Sequence, residues 1–431
     1  MNVNLRYTLV AIVMLLCVGA TYAQTPISEA EPSRTRLVPY ATAESAAKRS
    51  MAKQRYMQPI VEWTEVDGVL RGEFTYPFSW VERRIYLRIE RVHCPYEIFV
   101  NGKRAGGSSN GFVATEFDIT KISREDKNRV ELRLLPTSDV AHIECFEHAA
   151  PHPEVYIISQ PRVRVRDVDW RATKGVGGVV NVDFSVVMHN ATLGEKSSCL
   201  YYELYLNDTL RLAAGHRDVV LGMYGVDTMR FGATLRDSML WSSVSPTLLS
   251  LRLKNRIAGR DVEFYDLAVA LRELRYANGA FAINGDVVNV EWYDVAPTIT
   301  TDELRALCDA GHRAIRFTAG GVSDEMLTLC DEMGILVALT APINSSYAGS
   351  SRQRGGNPSN DPSWRDEYVA RTEQMIHTSK RHASVVAYFL ADDSANGICL
   401  YESYIAAKRI AGNRPVFYMD GGREWNSDDN R

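Results

Sequence analysis

Two adjacent carboxylates, Asp392 and Asp393, are the residues of this 431-residue chain whose position points most directly to chemistry. They directly follow residues 385–391, which begin with an unbroken apolar run rich in β-branched and aromatic side chains. Such a run, preceded by an amphipathic helical pattern, predicts a strand that is buried on both faces, as strands of parallel sheets are. Catalytic groups stand at the C-terminal ends of the strands in (β/α) barrels. Two neighbouring carboxylates also repel each other, which raises the pKa of one of them and suits it to act as an acid.

The region that must position this pair alternates between strand and helix patterns from about residue 273 to residue 431. Repeated βαβ units predict parallel strands. A closed barrel of this type has eight strands, so the five predicted here form a partial barrel. The predicted strands are residues 287–292, 314–318, 335–340, 385–390 and 415–419, and the predicted helices are residues 301–310, 324–334, 366–379 and 402–411.

Two regions rich in β patterns precede the partial barrel. Residues 56–160 show short alternating runs, and Asn101-Gly102 between two of them is a strong hairpin signal. Short strands at this spacing predict a jelly roll or sandwich. Residues 161–272 alternate as a small immunoglobulin-like sandwich does. The predicted fold class is therefore multidomain, β followed by α/β: a jelly roll, an immunoglobulin-like β-sandwich and a truncated TIM-type barrel.

Residues 381–397, RHASVVAYFLADDSANG, resemble the acid/base strand of glycoside hydrolase family 2, the β-galactosidase, β-glucuronidase and β-mannosidase family. The resemblance places Asp393 where the family has its general-acid Glu, and Asp392 where it has an Asn that contacts the sugar. The passages IFVNGKRAGG, FDIT, LCDEMGILVAL and RPVFYMDGG also resemble family segments. The resemblance covers nearly all of the chain and implies a sugar-binding-like first domain. The sequence contains no CxxC and no zinc-binding pattern, and no metal ion or cofactor is expected.

The resemblance implies four candidate site residues. Asp393 stands at the degenerate acid position, and Asp392, Arg316 and Asn344 are candidates for substrate binding. The family's nucleophile ends its seventh strand, which the five predicted strands do not include. For Asp393, the alternatives are a shortened general acid, a solvated acid at a strand end, or an N-cap of the following helix. For Arg316, they are a group that orients an anion or an ion-pair partner of the two aspartates.

The N-terminus has the sequence pattern of a targeting segment. Arg6, a short apolar core and Thr21-Tyr22-Ala23 predict a cleaved signal peptide over residues 1–23, and hence a secreted or periplasmic protein. Residues 24–55 form a polar lead-in with a predicted helix over residues 43–53. No other stretch predicts a transmembrane helix. The net charge of −4, without long charge runs, excludes a nucleic-acid-binding patch.

These observations lead to three hypotheses about function. The preferred one is a secreted, catalytically degenerate family-2-like protein that binds carbohydrate or a cell-envelope protein. The alternative is an active β-glycosidase of the β-galactosidase kind, with Asp393 as general acid. The third is a truncated reading of a longer gene. The open barrel edge also predicts a covering surface, which could be the chain's own sandwich domains, a second copy or another protein.

Overall fold

The computed structural model describes residues 30–49, 54–146, 153–353, 355–418 and 427–428. The predicted signal peptide lies outside these ranges. The lead-in contains one short helix, α1 (Ala43–Ala47), which begins at a Thr42 capping box. The helix is shorter than the 43–53 predicted, and residues 50–53 lie outside the described part. Upstream of it, the lead-in bridges to the first domain at Glu31 and to the second at Tyr40.

The first domain consists of two antiparallel sheets packed face to face around an apolar core. One sheet has the order β1-β9-β4-β7 and the other β2-β3-β8-β5-β6. Asn101 and Gly102 form the predicted hairpin turn with φ of 51° and 76°, a conformation that this residue pair adopts readily. The strands are β1 (Met57–Pro59), β2 (Trp63–Val66), β3 (Val69–Phe74), β4 (Arg84–Arg91), β5 (Tyr96–Val100), β6 (Lys103–Ser108), β7 (Thr115–Asp118), β8 (Asn128–Leu134) and β9 (Glu154–Gln160).

The second domain is a seven-stranded antiparallel sandwich. Its three-stranded sheet has the order β10-β11-β14, and its four-stranded sheet the order β13-β12-β15-β16. Alternate side chains of both sheets meet in one core, which explains the period-two apolar pattern of the sequence. The strands are β10 (Val163–Lys174), β11 (Val179–Asn190), β12 (Lys196–Leu206), β13 (Leu210–Leu221), β14 (Val226–Arg236), β15 (Leu249–Ile257) and β16 (Arg260–Val269).

The third region joins an antiparallel meander to a five-stranded parallel sheet with helical crossovers. The sheet runs in chain order, β20-β21-β22-β23-β24. The meander is β17 (Leu274–Ala277), β18 (Ala280–Ile283) and β19 (Asp286–Val288). The parallel strands are β20 (Tyr293–Val295), β21 (Ala314–Phe317), β22 (Leu336–Thr340), β23 (Val385–Phe389) and β24 (Val416–Phe417), and the helices are α2 (Thr301–Asp309), α3 (Asp324–Met333), α4 (Arg365–Ser379) and α5 (Ile398–Ile410). The predicted fold class is confirmed.

The first strand of the parallel sheet was wrongly placed by the sequence analysis at residues 287–292. Residues Asp286–Val288 instead form the last strand of the antiparallel meander, and the parallel strand is Tyr293–Val295. Both segments are short and contain a β-branched residue, so periodicity alone does not separate them. The prediction left Asp294 in a loop, whereas the structure places it inside a strand of the sheet.

The two faces of the parallel sheet are buried in different ways. Side chains such as Val337 and Tyr388 point to the face covered by the helices. Side chains of the opposite face, including Phe389 and Phe417, pack with Phe281 of the meander. The face that would line a closed barrel is therefore covered by residues of the same chain.

The edge strand β24 has its own partner. The backbone N–H of Asp428 donates to the carbonyl of Val416 at 2.8 Å, and the Asp428 carboxylate accepts from the Val416 N–H at 2.7 Å. Tyr404 and Lys408 of α5 also donate to this carboxylate, at 2.7 and 2.8 Å. Part of the predicted edge cover is therefore intramolecular, while association through the edge stays a prediction.

Candidate functional site

Four side chains from neighbouring strands meet at the C-terminal edge of the parallel sheet, here called the barrel mouth. Arg316 on β21 donates two hydrogen bonds to Asp294 on β20, at 2.7 and 2.5 Å. Its guanidinium also lies 3.8 Å from Asp392, which follows β23. The ring of Phe389 lies 5.1 Å from the Arg316 guanidinium carbon. Arg316 therefore pairs with two carboxylates, Asp294 on the first strand of the sheet and Asp392 after the fourth.

Asp392 is half-buried between Arg316 and Asn344. The side-chain amide of Asn344 donates to the Asp392 carboxylate at 3.3 Å, and the Asp392 N–H donates to the carbonyl of Ile343 at 2.9 Å. Burial raises the pKa of Asp392 above its ordinary value, although Arg316 and Asn344 act in the opposite direction. Repulsion from Asp294 and Asp393 adds to the rise. Desolvation is thus the main cause, and the repulsion expected between the two aspartates is a minor one.

Asp393 is exposed to solvent at the end of the strand. Its carbonyl accepts a hydrogen bond from the Ser345 N–H at 2.8 Å, which fixes the backbone while the carboxylate faces outward. The N-cap of the following helix α5 is Gly397. Asp393 therefore does not cap that helix, and this alternative for Asp393 is wrong.

A buried hydroxyl network anchors the segment that carries the two aspartates. The Ser345 and Ser394 hydroxyls lie 2.8 Å apart, and the Asn357 side-chain oxygen accepts from Ser345 at 2.9 Å. Tyr368 of α4 hydrogen-bonds to the Ser345 hydroxyl, and Tyr418 donates to the Ser394 carbonyl. These contacts connect the loops after β22 and β23, which places Asn344 and Asp392 side by side.

The first domain reaches the barrel mouth through the loop after β8. The Asn344 N–H donates to the Ile143 carbonyl at 2.7 Å, and the Cys145 N–H donates to the Asn344 carbonyl at 2.9 Å. Beneath this contact, fully buried Arg371 forms ion pairs with Glu144 of the first domain and with Glu367 of its own helix. The backbone of the predicted site residue Asn344 is therefore fixed by another domain.

The structure brings three of the predicted site residues, Arg316, Asn344 and Asp392, into one contact network, with Asp393 beside it. Sequence reasoning missed Asp294, which is the main partner of Arg316. The available signal was the position of Asp294 at a strand end, which the misplaced first strand concealed. Sequence reasoning also missed Glu144 and Arg371, which lie 227 positions apart.

The described residues show neither a metal-binding cluster nor a membrane-spanning helix. No group of three or more His, Cys, Asp or Glu side chains is arranged there to hold a metal ion. No helix in the same ranges has the length and apolar character needed to cross a membrane. The described cysteines, which number six, are all free thiols.

A jelly roll, a second sandwich and parallel βα units with polar residues at the strand ends form a multidomain β plus α/β architecture. The family profile described as "Glycosyl hydrolases family 2, sugar binding domain" matches residues 55–161. The profile described as "Glycosyl hydrolases family 2, TIM barrel domain" matches residues 301–429. Together they span more than half of the chain. The chain belongs to glycoside hydrolase family 2, as a divergent member.

The curated relatives include two bacterial β-galactosidases. The protein from Priestia megaterium is 24% identical over 370 residues, which cover 80% of this chain and 35% of that protein. The protein from Alteromonas mediterranea is 22% identical over 391 residues, which cover 86% of this chain and 37% of that protein. The chain thus spans about a third of the length of these relatives.

Solved structures show the same fold. The β-glucuronidase of Bacteroides uniformis is 16% identical with a TM-score of 0.68, and the match covers 91% of this chain and 52% of that one. The β-D-mannosidase of Dictyoglomus thermophilum is 16% identical with a TM-score of 0.64, covering 82% and 51%. These similarities establish the fold.

Proposed function

We propose that this protein binds neutral carbohydrate at the barrel mouth without hydrolysing it. The observation that carries the proposal is that two of the carboxylates at the barrel mouth already have hydrogen-bond and ion-pair partners. Both oxygens of Asp294 accept from Arg316, and Asp392 is paired with Arg316 and Asn344. Among the described residues of this site, Asp393 alone presents an exposed carboxylate that makes none of these pairs.

Hydrolysis by two carboxylates needs an acid and a second carboxylate, about 5–5.5 Å apart in retaining enzymes and farther apart in inverting ones. Asp393 is one methylene shorter than the Glu of the family motif, which withdraws a proton donor by about 1.5 Å, and a shift of about 1 Å can lower a rate by about 100-fold. Sugar binding is less sensitive than hydrolysis to these changes. An aspartate still accepts hydrogen bonds from sugar hydroxyls, and a side-chain amide can still donate to them.

The test measures binding and hydrolysis on the same preparation. Isothermal titration with methyl β-galactoside is expected to show heat that disappears in Asp392→Ala and persists in the exposed control Asp302→Ala. Nitrophenyl β-galactoside, β-glucuronide and β-mannoside are expected to show no turnover above the buffer rate. Absence of binding to every neutral sugar tried would overturn the proposal.

A second candidate function, an active β-glycosidase with Asp393 as general acid, is favoured by one observation. Asp294 places another carboxylate at the same mouth, half exposed, with 51% of its side chain accessible. Turnover that disappears in both Asp393→Ala and Asp294→Ala, but persists in Asp302→Ala, would establish this function and reject the non-catalytic one.

We also propose that the protein is exported and acts at the cell envelope, and the support for this comes from the sequence alone. The apolar segment that ends at Ala23 supports a mature N-terminus at Gln24. Mass spectrometry of the native protein should detect that terminus. An intact Met1, or a lipid on Cys17, would contradict a mature N-terminus at Gln24.

A further inference from the structure

Four large apolar residues are exposed together at one end of the second domain, and they are called the loop tip. They are Leu193, Met223, Tyr224 and Val226, and between 55% and 76% of each residue is accessible to solvent. Leu193 lies in the loop that joins β11 to β12, and the other three lie in the loop that joins β13 to β14 or directly after it. Exposed apolar residues that are grouped rather than scattered mark a surface that contacts another molecule or a membrane.

Backbone hydrogen bonds hold the two loops side by side. Both loops cross from one sheet of the sandwich to the other at the same end of the domain. The Tyr224 N–H donates to the Thr192 carbonyl at 3.1 Å, and the Asn190 N–H donates to the Gly225 carbonyl at 2.9 Å. Because Leu193 directly follows Thr192, the apolar residues of the two loops belong to one surface.

A buried amide fixes the shape of both loops. The Asn190 side chain, which is inaccessible to solvent, donates to the Gly194 carbonyl in one loop and to the Gly222 carbonyl in the other, each at 2.8 Å. Its oxygen accepts from the Thr192 N–H at 3.0 Å. Tyr224 has a φ of 49°, which is uncommon for a large side chain and persists only where surrounding contacts hold it. The loop tip is therefore held in one conformation, which reduces the entropy cost of binding.

The charges around the loop tip are balanced. Lys196 and Arg162, whose carbonyl accepts from the N–H of the first residue of the β11–β12 loop, are exposed cations. Glu195 and Asp227, which directly flank the two loops' apolar residues, are exposed anions. Two charges of each sign leave no net charge, so the surface does not select a partner by electrostatic attraction. Apolar contact is the remaining driving force.

The size and composition of the loop tip favour a lipid bilayer over a protein as its partner. A stable protein–protein interface uses about 20–30 residues on each side, and four apolar residues fall far short of that number. A bilayer needs only the inserted side chains, because buried apolar area sets the strength of interfacial binding. Tyr224 combines an apolar ring with a polar hydroxyl, the character that enriches tyrosine at membrane–water interfaces.

We propose that the loop tip inserts into the surface of a lipid bilayer, whether or not the lipid headgroups carry net charge. Leu193, Met223 and Val226 enter the acyl region, and the Tyr224 hydroxyl stays among the headgroups. Bilayer binding does not depend on the sugar binding proposed at the barrel mouth. Its use at the cell envelope rests on the export proposed above, which mass spectrometry of the N-terminus tests separately.

The test measures sedimentation of the full chain with sucrose-loaded phosphatidylcholine vesicles. The wild type is expected to sediment with them, and equally with vesicles that contain phosphatidylglycerol, because the loop tip has no net charge. Leu193→Asp and Met223→Asp should each lower the partition coefficient by about tenfold, since a carboxylate replaces an inserted apolar side chain. The matched control is Val176→Asp, which changes a 96% exposed valine at the opposite end of β11 and should leave partitioning unchanged. Asp392→Ala should also bind vesicles like the wild type.

A second measurement locates the inserted surface. The emission that Tyr224→Trp adds to the fluorescence of the wild type is expected to be quenched by phosphatidylcholine brominated on its acyl chains. Wild-type protein that stays in the supernatant overturns the proposal, as does sedimentation that Leu193→Asp and Met223→Asp leave unchanged. Light scattering without vesicles covers the rival partner, a second copy of the chain. A dimer that Leu193→Asp dissociates, without vesicle binding by the wild type, would assign the loop tip to protein contact and reject the bilayer.

Discussion

Arg316 binds Asp294 through two parallel hydrogen bonds, 2.7 and 2.5 Å long, that join the first two strands of the parallel sheet. A guanidinium and a carboxylate in this arrangement form a strong and directional pair. The same guanidinium lies 3.8 Å from Asp392, so one cation compensates two acids at the barrel mouth. Arg316 therefore serves as an ion-pair partner of two aspartates, which was one of the two roles expected for it, and not as a group that orients a bound anion.

Replacing Arg316 by Ala is expected to lower the free energy of unfolding by about 2 kcal/mol, because two carboxylates lose their charged donor. Urea unfolding at neutral pH measures this change. Asp294→Ala and the double variant complete a cycle, in which the two effects should be strongly non-additive. Arg305→Ala, which breaks an exposed pair with Asp302, is the control and should change stability little. Additive effects of Arg316→Ala and Asp294→Ala would contradict the pairing.

The barrel mouth is expected to discriminate sugars by charge. Asp294, Asp392 and Asp393 outnumber the one guanidinium of Arg316, so a uronic acid meets net negative charge there. Methyl β-glucuronide should bind about tenfold more weakly than methyl β-glucoside, equivalent to about 1.4 kcal/mol. Calorimetric titrations at low and high salt measure the difference, which should shrink as salt screens it. Asp393→Asn should narrow the gap, and equal affinities in the wild type would count against this picture.

Lengthening the side chain at the acid position is expected to leave the protein inactive. Asp393→Glu restores the residue of the family motif and its reach, but both oxygens of Asp294 remain hydrogen-bonded to Arg316. Turnover of nitrophenyl β-galactoside should therefore stay at the buffer rate in Asp393→Glu. Hydrolysis that appears in this variant and disappears in Asp393→Glu combined with Asp294→Ala would show that a working pair exists.

Much of the fold follows from local sequence patterns. The apolar runs of the parallel strands predicted β22 and β23 within one or two residues, because strands covered on both faces leave no polar alternation. The Asn101-Gly102 turn was predicted because both residues tolerate positive φ. The positions of Asp392 and Asp393 at a strand end followed from the same apolar run.

The rest depends on tertiary contacts that no local pattern contains. Glu367 and Arg371 are four residues apart, a spacing that usually marks an exposed helical pair. Here both are buried, because Glu144 of another domain completes the network. Asp294 was missed for a different reason, since a three-residue strand carries too little periodicity to place its end.

The edge strand β24 is expected to lose protection when its intramolecular partner is removed. Asp428→Ala removes the carboxylate that accepts from the Val416 N–H and from Lys408. Hydrogen exchange at the Val416 amide should accelerate by about fivefold, corresponding to the loss of about 1 kcal/mol. The measurement belongs at concentrations where light scattering shows only monomer, with Asp302→Ala as control. Unchanged Val416 exchange in monomeric Asp428→Ala would require another cover for this edge.

A buried histidine at the opposite end of the sheet makes stability depend on alkaline pH. The His382 ring is hydrogen-bonded to Asp331 at 2.7 Å and to Asp324 at 3.2 Å, and Asp331 also accepts from the Ser384 N–H. Burial alone would lower the pKa of His382, but the two carboxylates outweigh it and raise the pKa to about 9. The imidazolium is therefore the form present at neutral pH in the folded protein.

Because the folded pKa of His382 lies above the unfolded value of about 6.5, its contribution to stability is complete below pH 6.5 and is lost as pH rises through about 9. The shift corresponds to about 3 kcal/mol. Unfolding free energies measured in urea from pH 6 to pH 10 should therefore fall more steeply in the wild type than in His382→Gln. Glu263, whose pKa burial raises to about 7, acts in both proteins and cancels in the comparison. Parallel pH profiles of the wild type and His382→Gln would show that the histidine is neutral between its two aspartates.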